Sequence, residues 1–448
     1  MHGEFWQLDN KNPEAKLYYK DHCIDYNELE AQVQQAVNSL PSERCLIALV
    51  AQSTLDFVIF YLAALRQSHV VLLIDADLAE NDRNTLLEHY QVNLLIEGNK
   101  IHSLSDYTHQ LADELCLLLS TSGSTGSPKL VKLSKANLAA NCASINQFLP
   151  ILKDDVVMTF LPLSYSFGLS ILHTHLAMGA SIVLQSDSPM SADFWHNFEH
   201  YKVTSFYGVP LSYQLLNRLG LEKMPLGNVR YMAQAGGKLL ARDWQLLSDY
   251  THNNDIDFFV MYGQTEATAR IAYLPAEYFS RQIGFIGKEI PGVELQLLDS
   301  EGERVEQFDS QGELCVRGGN IFGGYSETLA ELGYFEDISL LHTGDIAIQS
   351  PSGLYQIVGR SKRICKIAGR RINLDELQSW LDALCQFEVV CVGSEDEIVV
   401  YSEQPIEAEL IKQLAAKLKC HSRLIQTVVL EAIPRLSNSK VDYNALKQ

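Results

Sequence analysis

The sequence has no long hydrophobic run, and basic residues are scarce. Its longest apolar stretch, Phe57–Leu65, has nine residues, whereas a helix that spans a membrane needs about 20. The 448 residues include 35 lysines and arginines against 55 acidic residues, which gives a formal charge of −20. Because non-specific nucleic-acid binding depends on positive charge, that class of protein is disfavoured. We therefore predict neither a nucleic-acid partner nor a membrane partner.

Two further absences concern the cellular compartment. The nine cysteines include no CxxC pair, and an odd number cannot all form disulfides. This pattern is typical of reduced thiols in a cytoplasm. The first ten residues, MHGEFWQLDN, lack the basic start and the apolar stretch of a signal peptide. We accordingly expect a cytoplasmic localisation.

What the sequence does contain is the composition of a globular core, with 47% hydrophobic and 20% charged residues. In the first half of the chain, short apolar runs alternate with helical patterns. Cys45–Ala51 and Val70–Ile74 are typical of buried parallel strands, and Leu55–Arg66 between them is typical of a helix. Similar β–α–β spacings recur over 157–185 and 205–233. The alternation predicts an α/β fold with stacked, mostly parallel sheets.

The pattern changes near Gln282. Short strands such as Val293–Leu298 and Asp345–Gln349 are separated by Gly, Asp, Ser and Pro, which indicates antiparallel β structure. The last segment is mixed and includes a helical stretch at Glu407–Leu418. We predict a large N-terminal α/β domain over residues 1–360, β-rich from about 282, and a small C-terminal α+β domain over residues 361–448.

The most informative stretch is Leu117–Lys129, with the sequence LLLSTSGSTGSPK. An apolar strand runs into a loop in which five of the seven residues 121–127 carry hydroxyls and the other two are glycine. Glycine lets backbone N–H groups turn towards an anion, and hydroxyls add donors. The loop is not a Walker A loop, because Pro128 and Leu130 replace the glycine and the Ser or Thr of that motif. A flexible linker is the alternative, but linkers rarely follow a buried strand directly, so we interpret the loop as phosphate-binding.

Other polar motifs also follow strands, where the ligands of α/β sheets collect. Tyr262–Glu266 (YGQTE) places a hydroxyl beside a carboxylate, the hard ligand that Mg²⁺ prefers next to a nucleotide. An ordinary turn explains YGQTE alone equally well. Ala233–Leu239 (AQAGGKL) ends a strand with two glycines, where backbone can approach a flat ligand. His342–Asp345 (HTGD) offers an aspartate suited to a ribose diol, and Pro434–Asp442 (PRLSNSKVD) places a lysine in a polar loop.

Taken in chain order, these motifs resemble the core motifs of the ANL adenylate-forming superfamily of acyl-CoA synthetases, carrier-loading adenylation domains and luciferases. The matching motifs are STSGSTGSPK, YGQTEAT, GELCVRGGNIFGGY, HTGD, GRSKRICKIAGRRI and PRLSNSKVD. The likeness extends from about Ile24 to Tyr443, and six motifs in one order are specific together. The resemblance implies an AMP-forming acid–thiol ligase of the acyl-CoA synthetase type. In such enzymes a carboxylate attacks the α-phosphate of ATP, which gives an acyl-adenylate and pyrophosphate, and the thiol of CoA then displaces AMP.

The resemblance also implies roles for particular residues. Lys440 would bridge the substrate carboxylate and the α-phosphate, Thr265 would bond the α-phosphate, and Glu266 would bind Mg²⁺. The residues implied for the β- and γ-phosphates of ATP are Thr121, Ser122, Gly123, Ser124, Thr125, Gly126 and Lys129. Those implied for the adenine are Gly236, Gly237 and Tyr262, and those for the ribose are Asp345 and Arg360. The residues implied for the acyl pocket are Tyr165, Ala235 and Ala267.

A basic stretch joins the two predicted domains: six of the 12 residues 360–371 are Lys or Arg. By resemblance, Lys362 is the hinge about which a mobile C-terminal domain turns between the half-reactions. Gly369 would lie beside the pantetheine tunnel. Lys366 and its basic neighbours would attract the CoA phosphates or an acidic carrier protein. A solvated basic hairpin explains these charges equally well.

Several departures from the family pattern bear on specificity. Tyr165 stands where many acyl and aryl ligases have His, which predicts a different gate or pocket shape. The aspartate that holds the amino group of α-amino acids is missing, so a proteinogenic α-amino acid is not the expected substrate. Arg363 replaces the usual acidic residue after the hinge, and Ser439 replaces the glycine before the lysine. The C-terminal domain is also shorter than in many relatives.

The leading hypothesis is thus an acyl-CoA synthetase with a small carboxylic acid as substrate, ATP and Mg²⁺ as cofactors and CoA as co-substrate. One alternative passes the acyl group to the phosphopantetheine arm of an acyl carrier protein. Another is a non-catalytic relative that binds nucleotide or adenylate, which the presence of both Lys440 and Glu266 disfavours. Luciferase-type oxidation has no support, because these residues supply adenylation only.

Overall fold

The computed structural model describes residues 3–8, 12–120, 129–361, 363–367, 370–385, 387–393, 397–418, 420–436 and 438–447, with backbone alone for 364, 366, 367, 370, 371 and 447. The helices of this part are α1 (Tyr26–Ser39), α2 (Leu55–Arg66), α3 (Glu80–His89), α4 (Lys135–Phe148), α5 (Ser166–Met178), α6 (Ala192–His200), α7 (Pro210–Leu219), α8 (Ala241–Asn253), α9 (Leu374–Leu384) and α10 (Ala408–Leu418). Within these residues, no helix combines the length and the apolar character that a membrane span requires.

The strands fall into three groups along the chain. Those of the first group are β1 (Lys16–Tyr19), β2 (His22–Asp25), β3 (Leu46–Ala51), β4 (Val70–Asp75), β5 (Leu94–Glu97), β6 (Lys100–Ser103), β7 (Leu115–Ser120), β8 (Leu130–Ser134), β9 (Val156–Thr159), β10 (Ser181–Leu184), β11 (Ser205–Gly208), β12 (Tyr231–Gln234), β13 (Asp257–Tyr262), β14 (Ala272–Leu274) and β15 (Lys288–Glu289). The second group comprises β16 (Val293–Leu298), β17 (Gly312–Gly318), β18 (Tyr325–Ser326), β19 (Leu341–Gln349) and β20 (Tyr355–Arg360). The third comprises β21 (Ile364–Ile367), β22 (Arg370–Asn373), β23 (Val389–Gly393), β24 (Ile398–Ser402) and β25 (Ile425–Val429).

Two large sheets dominate the main body. One has seven strands in the order β18-β8-β7-β4-β3-β5-β6, and the other has nine in the order β15-β14-β13-β12-β11-β9-β10-β1-β2. The central strands of both pair in parallel, as β3 does with β4 and β12 does with β13. Antiparallel pairing is confined to the outer strands, such as β7 with β8 and β13 with β14. The predicted α/β class with mostly parallel sheets is therefore confirmed.

A layer of helices lies between the two large sheets. Along β3, Ile47 and Leu49 pack into the core shared with α2, whereas Ala48 and Val50 pack into a separate core on the other face. This division follows from the alternation of side chains along a strand. Every residue of the apolar run Phe57–Leu65 is buried in α2. The run that is too short for a membrane is thus a central helix, apolar all round because it lies between two sheets.

The segment from β16 to β20, residues 293–360, folds mainly into antiparallel β structure, as predicted. Strands β16, β17, β19 and β20 form a four-stranded sheet in that order. Val293–Leu298 is the predicted strand without change, and β19 begins four residues before the Asp345 at which we expected it to start. The extension brings the whole HTGD motif into a strand, which fixes the backbone around Asp345.

The C-terminal part packs around a core of its own. Leu377 and Leu381 of α9 meet Val389 and Ile398 of the sheet β23-β24-β25 and Leu414 of α10. The spacing of these leucines along each helix is that of an amphipathic helix on a small sheet. The domain limit at 360/361 stays a prediction, and β20 ends at that limit.

Candidate active site

A cleft of about 680 Å³ lies between the main body and the C-terminal part. It forms where β12 and β13 end side by side, since these neighbours run in parallel and their carboxyl ends share one edge of the sheet. Lys440 and Tyr443 close the cleft from the C-terminal part. The sequence-predicted residues that line it are Tyr165, Ala235, Gly236, Thr265, Glu266, Asp345, Arg360 and Lys440. Motifs from widely separated parts of the chain thus converge on one cavity.

Glu266 is held in the cleft by Tyr325, whose hydroxyl donates a hydrogen bond of 2.8 Å to Glu266 Oε1. Burial, and then the negative charge of Glu266, raise the pKa of Tyr325, so this hydroxyl stays a donor. Lys129 Nζ lies 3.7 Å from the centre of the same tyrosine ring and 3.6 Å from Glu327 Oε1. Tyr325 therefore links the two residues: Lys129 contacts its ring, and Glu266 contacts its hydroxyl.

The donor set at Glu266 fits a magnesium ion. Within the described chain, only Oε1 of this carboxylate accepts a hydrogen bond, and the side chain lines the cleft. Mg²⁺ is commonly bound by one or two carboxylates together with substrate phosphates, and it retains several waters. A cleft carboxylate whose Oε2 accepts no hydrogen bond from the described residues meets that requirement.

Asp345 is a buried carboxylate of the cleft, 6% exposed. It lies directly opposite Arg360 in the register of β19 and β20, and Arg360 Nε lies 3.0 Å from Asp345 Oδ1. The hydroxyl of Tyr262 donates a hydrogen bond to Asp345 Oδ2. Burial, and then the charge of Asp345, raise the pKa of Tyr262 well above its ordinary value. The hydrogen bond from Tyr262 to Asp345 thus joins the YGQTE motif to the HTGD motif.

Gly236 and Tyr165 form one wall of the cleft. Gly236 has a φ of +88°, and a Cβ atom there would lie 2.6 Å from the Tyr165 hydroxyl oxygen. Burial raises the pKa of Tyr165 to about 12, so the phenol stays neutral. The ring of Tyr165 lies 5.6 Å from Lys440 Nζ. Tyr165 therefore stands between the glycine turn and the lysine of the C-terminal part.

Replacing Gly236 by alanine is expected to lower the free energy of unfolding by about 1–3 kcal/mol, because an L side chain is strained at this positive φ. The new methyl group would also displace the Tyr165 hydroxyl. Gly227→Ala is the matched control, since nothing lies within 4 Å of its Cβ position. Thermal unfolding of both variants checks the difference. Equal stability of the two variants would contradict it.

Lys440 lies in a tight turn that ends a short antiparallel bridge between Arg435 and Val441. The Lys440 carbonyl accepts a hydrogen bond of 2.8 Å from the Leu436 amide. Ser439 has a φ of +64°, the left-handed conformation that glycine adopts most easily. The structure thereby explains why a glycine precedes this lysine in the family pattern: the turn itself requires left-handed backbone.

The electrostatic surroundings of Lys440 come from both parts of the molecule. Burial, and then the positive charge of Arg360, lower the pKa of the Lys440 ammonium. The carboxylates of Glu266 and Asp345 act in the opposite direction. A lysine held near two cleft carboxylates is placed to meet an anion that enters between them.

Some predicted residues do not line the cleft. Gly237 uses its carbonyl to accept a hydrogen bond of 2.7 Å from Gln234 Nε2. Ala267 is completely buried in a one-turn 3₁₀ helix. Tyr262 contributes through Asp345 rather than as a cleft wall. The predicted residues that lie outside the described part are Thr121, Ser122, Gly123, Ser124, Thr125, Gly126, Lys362 and Gly369. Of Lys366, the structure describes only the backbone, in β21.

The cleft also contains residues that the sequence did not indicate as functional. Tyr325 ends the GELCVRGGNIFGGY motif, and that position was the available signal. Arg270 follows YGQTEATA within an otherwise apolar stretch, and it lines the cleft. Arg363 forms an ion pair of 2.8 Å between its Nε and Asp375 Oδ1, and its guanidinium lies 4.2 Å from the centre of the Tyr443 ring. The positive charge of Arg363, which departs from the family pattern, is therefore paired with a carboxylate of the C-terminal part.

The two-sheet body carries a polar cleft against a small C-terminal unit. A family model described as AMP-binding enzyme matches residues 104–326. The chain belongs to the ANL adenylate-forming superfamily, as the motif order predicted.

Similar proteins include several ligases. Oxalate–CoA ligase of Arabidopsis thaliana is 24% identical, with 95% of this chain and 93% of that protein covered. A 2-succinylbenzoate–CoA ligase of Bacillus cereus is 27% identical over 75% of this chain and 70% of that protein. Tyrocidine synthase 3 of Brevibacillus parabrevis is 25% identical over 97% of this chain, which spans only 7% of that synthase.

Solved structures agree in fold. The o-succinylbenzoate CoA synthetase of Bacillus subtilis, in complex with the acyl-adenylate intermediate, superposes with a TM-score of 0.80 at 22% identity, covering 100% of this chain and 98% of that one. The same enzyme with ATP and magnesium gives a TM-score of 0.80 at 20% identity, covering 100% and 99%.

Proposed function

We propose that this protein is an ATP-dependent carboxylic acid ligase. The acid and ATP give an acyl-adenylate and pyrophosphate, and the thiol of CoA then attacks the acyl carbon, which gives a thioester and releases AMP. The observation that carries this proposal is the convergence of Lys440, Glu266 and Asp345 on one cleft. These side chains supply a cation, a carboxylate suited to Mg²⁺ and a carboxylate suited to ribose hydroxyls. The cytoplasm, where nine cysteines that form no disulfide stay reduced, is the proposed compartment.

Adenylation brings two anions together, so its transition state requires positive charge and hydrogen-bond donors. Lys440 supplies the positive charge between the substrate carboxylate and the α-phosphate. Thr265 donates its hydroxyl to the α-phosphate, and Ser166 Oγ lies 3.4 Å from Thr265 Oγ1, within reach to orient it. Catalysis rests on this positioning, because no covalent bond to the protein forms.

The remaining ATP contacts divide among three regions. Glu266 holds Mg²⁺, which when bound neutralises phosphate charge. Asp345 accepts hydrogen bonds from the ribose hydroxyls, and Arg360 and Tyr262 hold its carboxylate in place. Gly236 lines the cleft and accommodates the adenine, while Gly237 and Tyr262 support this wall through their bonds to Gln234 and Asp345. The β- and γ-phosphates belong to the hydroxyl-rich loop and to Lys129.

The second half-reaction requires a thiol, and the names of two ligase relatives favour CoA. By resemblance, Lys362 would serve as the hinge for rotation of the C-terminal domain, Gly369 would adjoin the pantetheine tunnel, and Lys366 would attract the CoA phosphates. The similarity to tyrocidine synthase 3 supports the second candidate, transfer to the phosphopantetheine arm of a carrier protein. Both candidates share the adenylation step.

Acid-dependent exchange of pyrophosphate into ATP tests the shared step without any thiol. We expect exchange with one class of acid in a panel of short, medium, aryl, hydroxy and dicarboxylic acids. Supplying CoA or a phosphopantetheine-loaded carrier protein to the active acid then identifies the acceptor by thioester formation. Bound ATP with no exchange across the panel would contradict the proposal and favour the non-catalytic alternative.

A further inference from the structure

Arg270 is a buried guanidinium on the wall of the cleft. It follows the YGQTE motif, its side chain is 1% exposed, and it lines the same cavity as Lys440 and Glu266. None of the roles that the family motifs imply is assigned to Arg270. A charge so deeply buried needs a compensating partner, because removal of an ion from water is costly.

Among the described residues, Arg270 has no carboxylate partner. Its Nε lies 3.3 Å from the Met261 sulfur, and one terminal nitrogen lies 3.4 Å from the Ala269 carbonyl oxygen. Both are weak or long contacts, and a guanidinium has five N–H donors to satisfy. Elsewhere in the body, Arg66 is paired with Glu30 at 2.6 Å. Arg270 therefore retains unused donors at the surface of the cleft.

Burial lowers the pKa of Arg270 to about 10, while the nearby hydroxyls of Tyr165 and Tyr207 oppose this shift. The side chain is still cationic at neutral pH, because its pKa remains about three units higher. The charge is partly stabilised by the Phe167 ring, whose centre lies 4.1 Å from the guanidinium carbon. A ring offers no lone pair in the guanidinium plane, so the fork of N–H donors stays available.

Two cations and two rings define the geometry of the acid site. Lys440 Nζ lies 5.6 Å from the centre of the Tyr165 ring, and Arg270 lies 4.1 Å from the centre of the Phe167 ring. The two ring centres are 6.2 Å apart with an edge-to-face arrangement. A short acid that lies along these rings would have one end near Lys440 and the other near Arg270.

We propose that Arg270 binds an oxygen acceptor at the far end of the acid, so that the substrates are acids with a distal carboxylate or hydroxyl group. The inference rests on the proposed adenylation, with the reacting carboxylate at Lys440. It defines specificity: an unsubstituted acid of the same length leaves the buried guanidinium unpaired, and sites built around such a hydrogen bond discriminate strongly.

The test compares matched acids in pyrophosphate exchange: succinate with butanoate, glutarate with pentanoate, and 4-hydroxybenzoate with benzoate. The wild-type protein is expected to favour the member with the distal oxygen by about a hundredfold or more in kcat/KM. Comparison of the two dicarboxylic pairs with the hydroxybenzoate pair shows whether a carboxylate or a hydroxyl group supplies the oxygen that Arg270 binds. Arg270→Met, which keeps the aliphatic volume, is expected to raise KM for the favoured acid and remove the preference, with KM for ATP unchanged.

Controls separate specificity from folding. Arg281→Met removes an exposed arginine and is expected to leave the preference unchanged. Arg270→Lys keeps the charge without the fork and is expected to restore part of the preference. Thermal unfolding and AMP binding report the integrity of each variant, and the wild-type acid pairs decide the matter if Arg270→Met does not fold.

A failure of the Arg270 inference can be distinguished from a failure of the proposed ligase function. Exchange that is equally fast with both members of every pair would overturn the inference and leave the ligase proposal intact, as would an unchanged preference in a folded Arg270→Met variant. Absence of exchange with every acid would instead contradict the adenylation on which the inference rests.

Discussion

Lys440→Ala is expected to reduce acid-dependent pyrophosphate exchange by about a hundred- to a thousandfold, the effect typical of losing one preorganised stabilising group. Lys440 lies beside Tyr165 at the cleft, and its ammonium is the positive charge that the C-terminal part brings to the α-phosphate. Thioester formation from a supplied acyl-adenylate is expected to continue, since that step no longer joins two anions. Rapid-quench measurement of each half-reaction separates the two effects.

Lys412→Ala is the matched control, because Lys412 is an exposed lysine of the same C-terminal part, paired with the exposed Glu409 at 3.1 Å. It should behave as the wild type in both half-reactions. Normal exchange in a folded Lys440→Ala variant would show that another group supplies the charge and that our assignment of this lysine is wrong.

The exchange activity is also expected to depend on pH through the ionisation of Lys440. Burial and the charge of Arg360 lower the pKa of Lys440, so the ammonium loses its proton at a lower pH than an exposed lysine does. Exchange activity is therefore expected to fall on the alkaline side earlier than an ordinary lysine would allow. In Lys440→Arg, residual activity is expected to lack this alkaline loss, because a guanidinium stays protonated.

Glu266→Gln is expected to lower exchange activity by about a hundredfold, a magnitude typical of lost electrostatic stabilisation. The amide keeps the shape of the side chain and can still accept the hydrogen bond from Tyr325, but it removes the negative charge that suits Mg²⁺. Raising the Mg²⁺ concentration should restore part of the activity. A titration of exchange rate against Mg²⁺ measures both the loss and the recovery.

Glu301→Gln provides the control, since Glu301 lies in an exposed turn and its backbone amide bonds to Asp299. It should leave both the exchange rate and the Mg²⁺ dependence unchanged. If Glu266→Gln had the same Mg²⁺ dependence as the wild type, the ion would be held elsewhere and the proposed metal ligand would be wrong.

Local pattern was enough to predict the main body because its physical cause is local. The continuous apolar runs at 46–51 and 70–74 are strands buried on both faces, and Leu55–Arg66 is the helix between them. Side-chain alternation and turn residues likewise indicated the four-stranded antiparallel sheet. The starting point of β19 differed by a few residues, because hydrogen bonding across strands decides it.

The sequence alone determined the family and the motif residues, because short polar motifs after buried strands depend on neighbours in the chain. Only the tertiary structure decided which of them meet. The opposed register of Asp345 and Arg360, the bond from Tyr325 to Glu266, and the burial of Ala267 arise from pairing between distant segments. Arg270 is the clearest case: its sequence looks like an interrupted apolar stretch, and only packing shows a buried cation that faces the cleft with no partner carboxylate among the described residues.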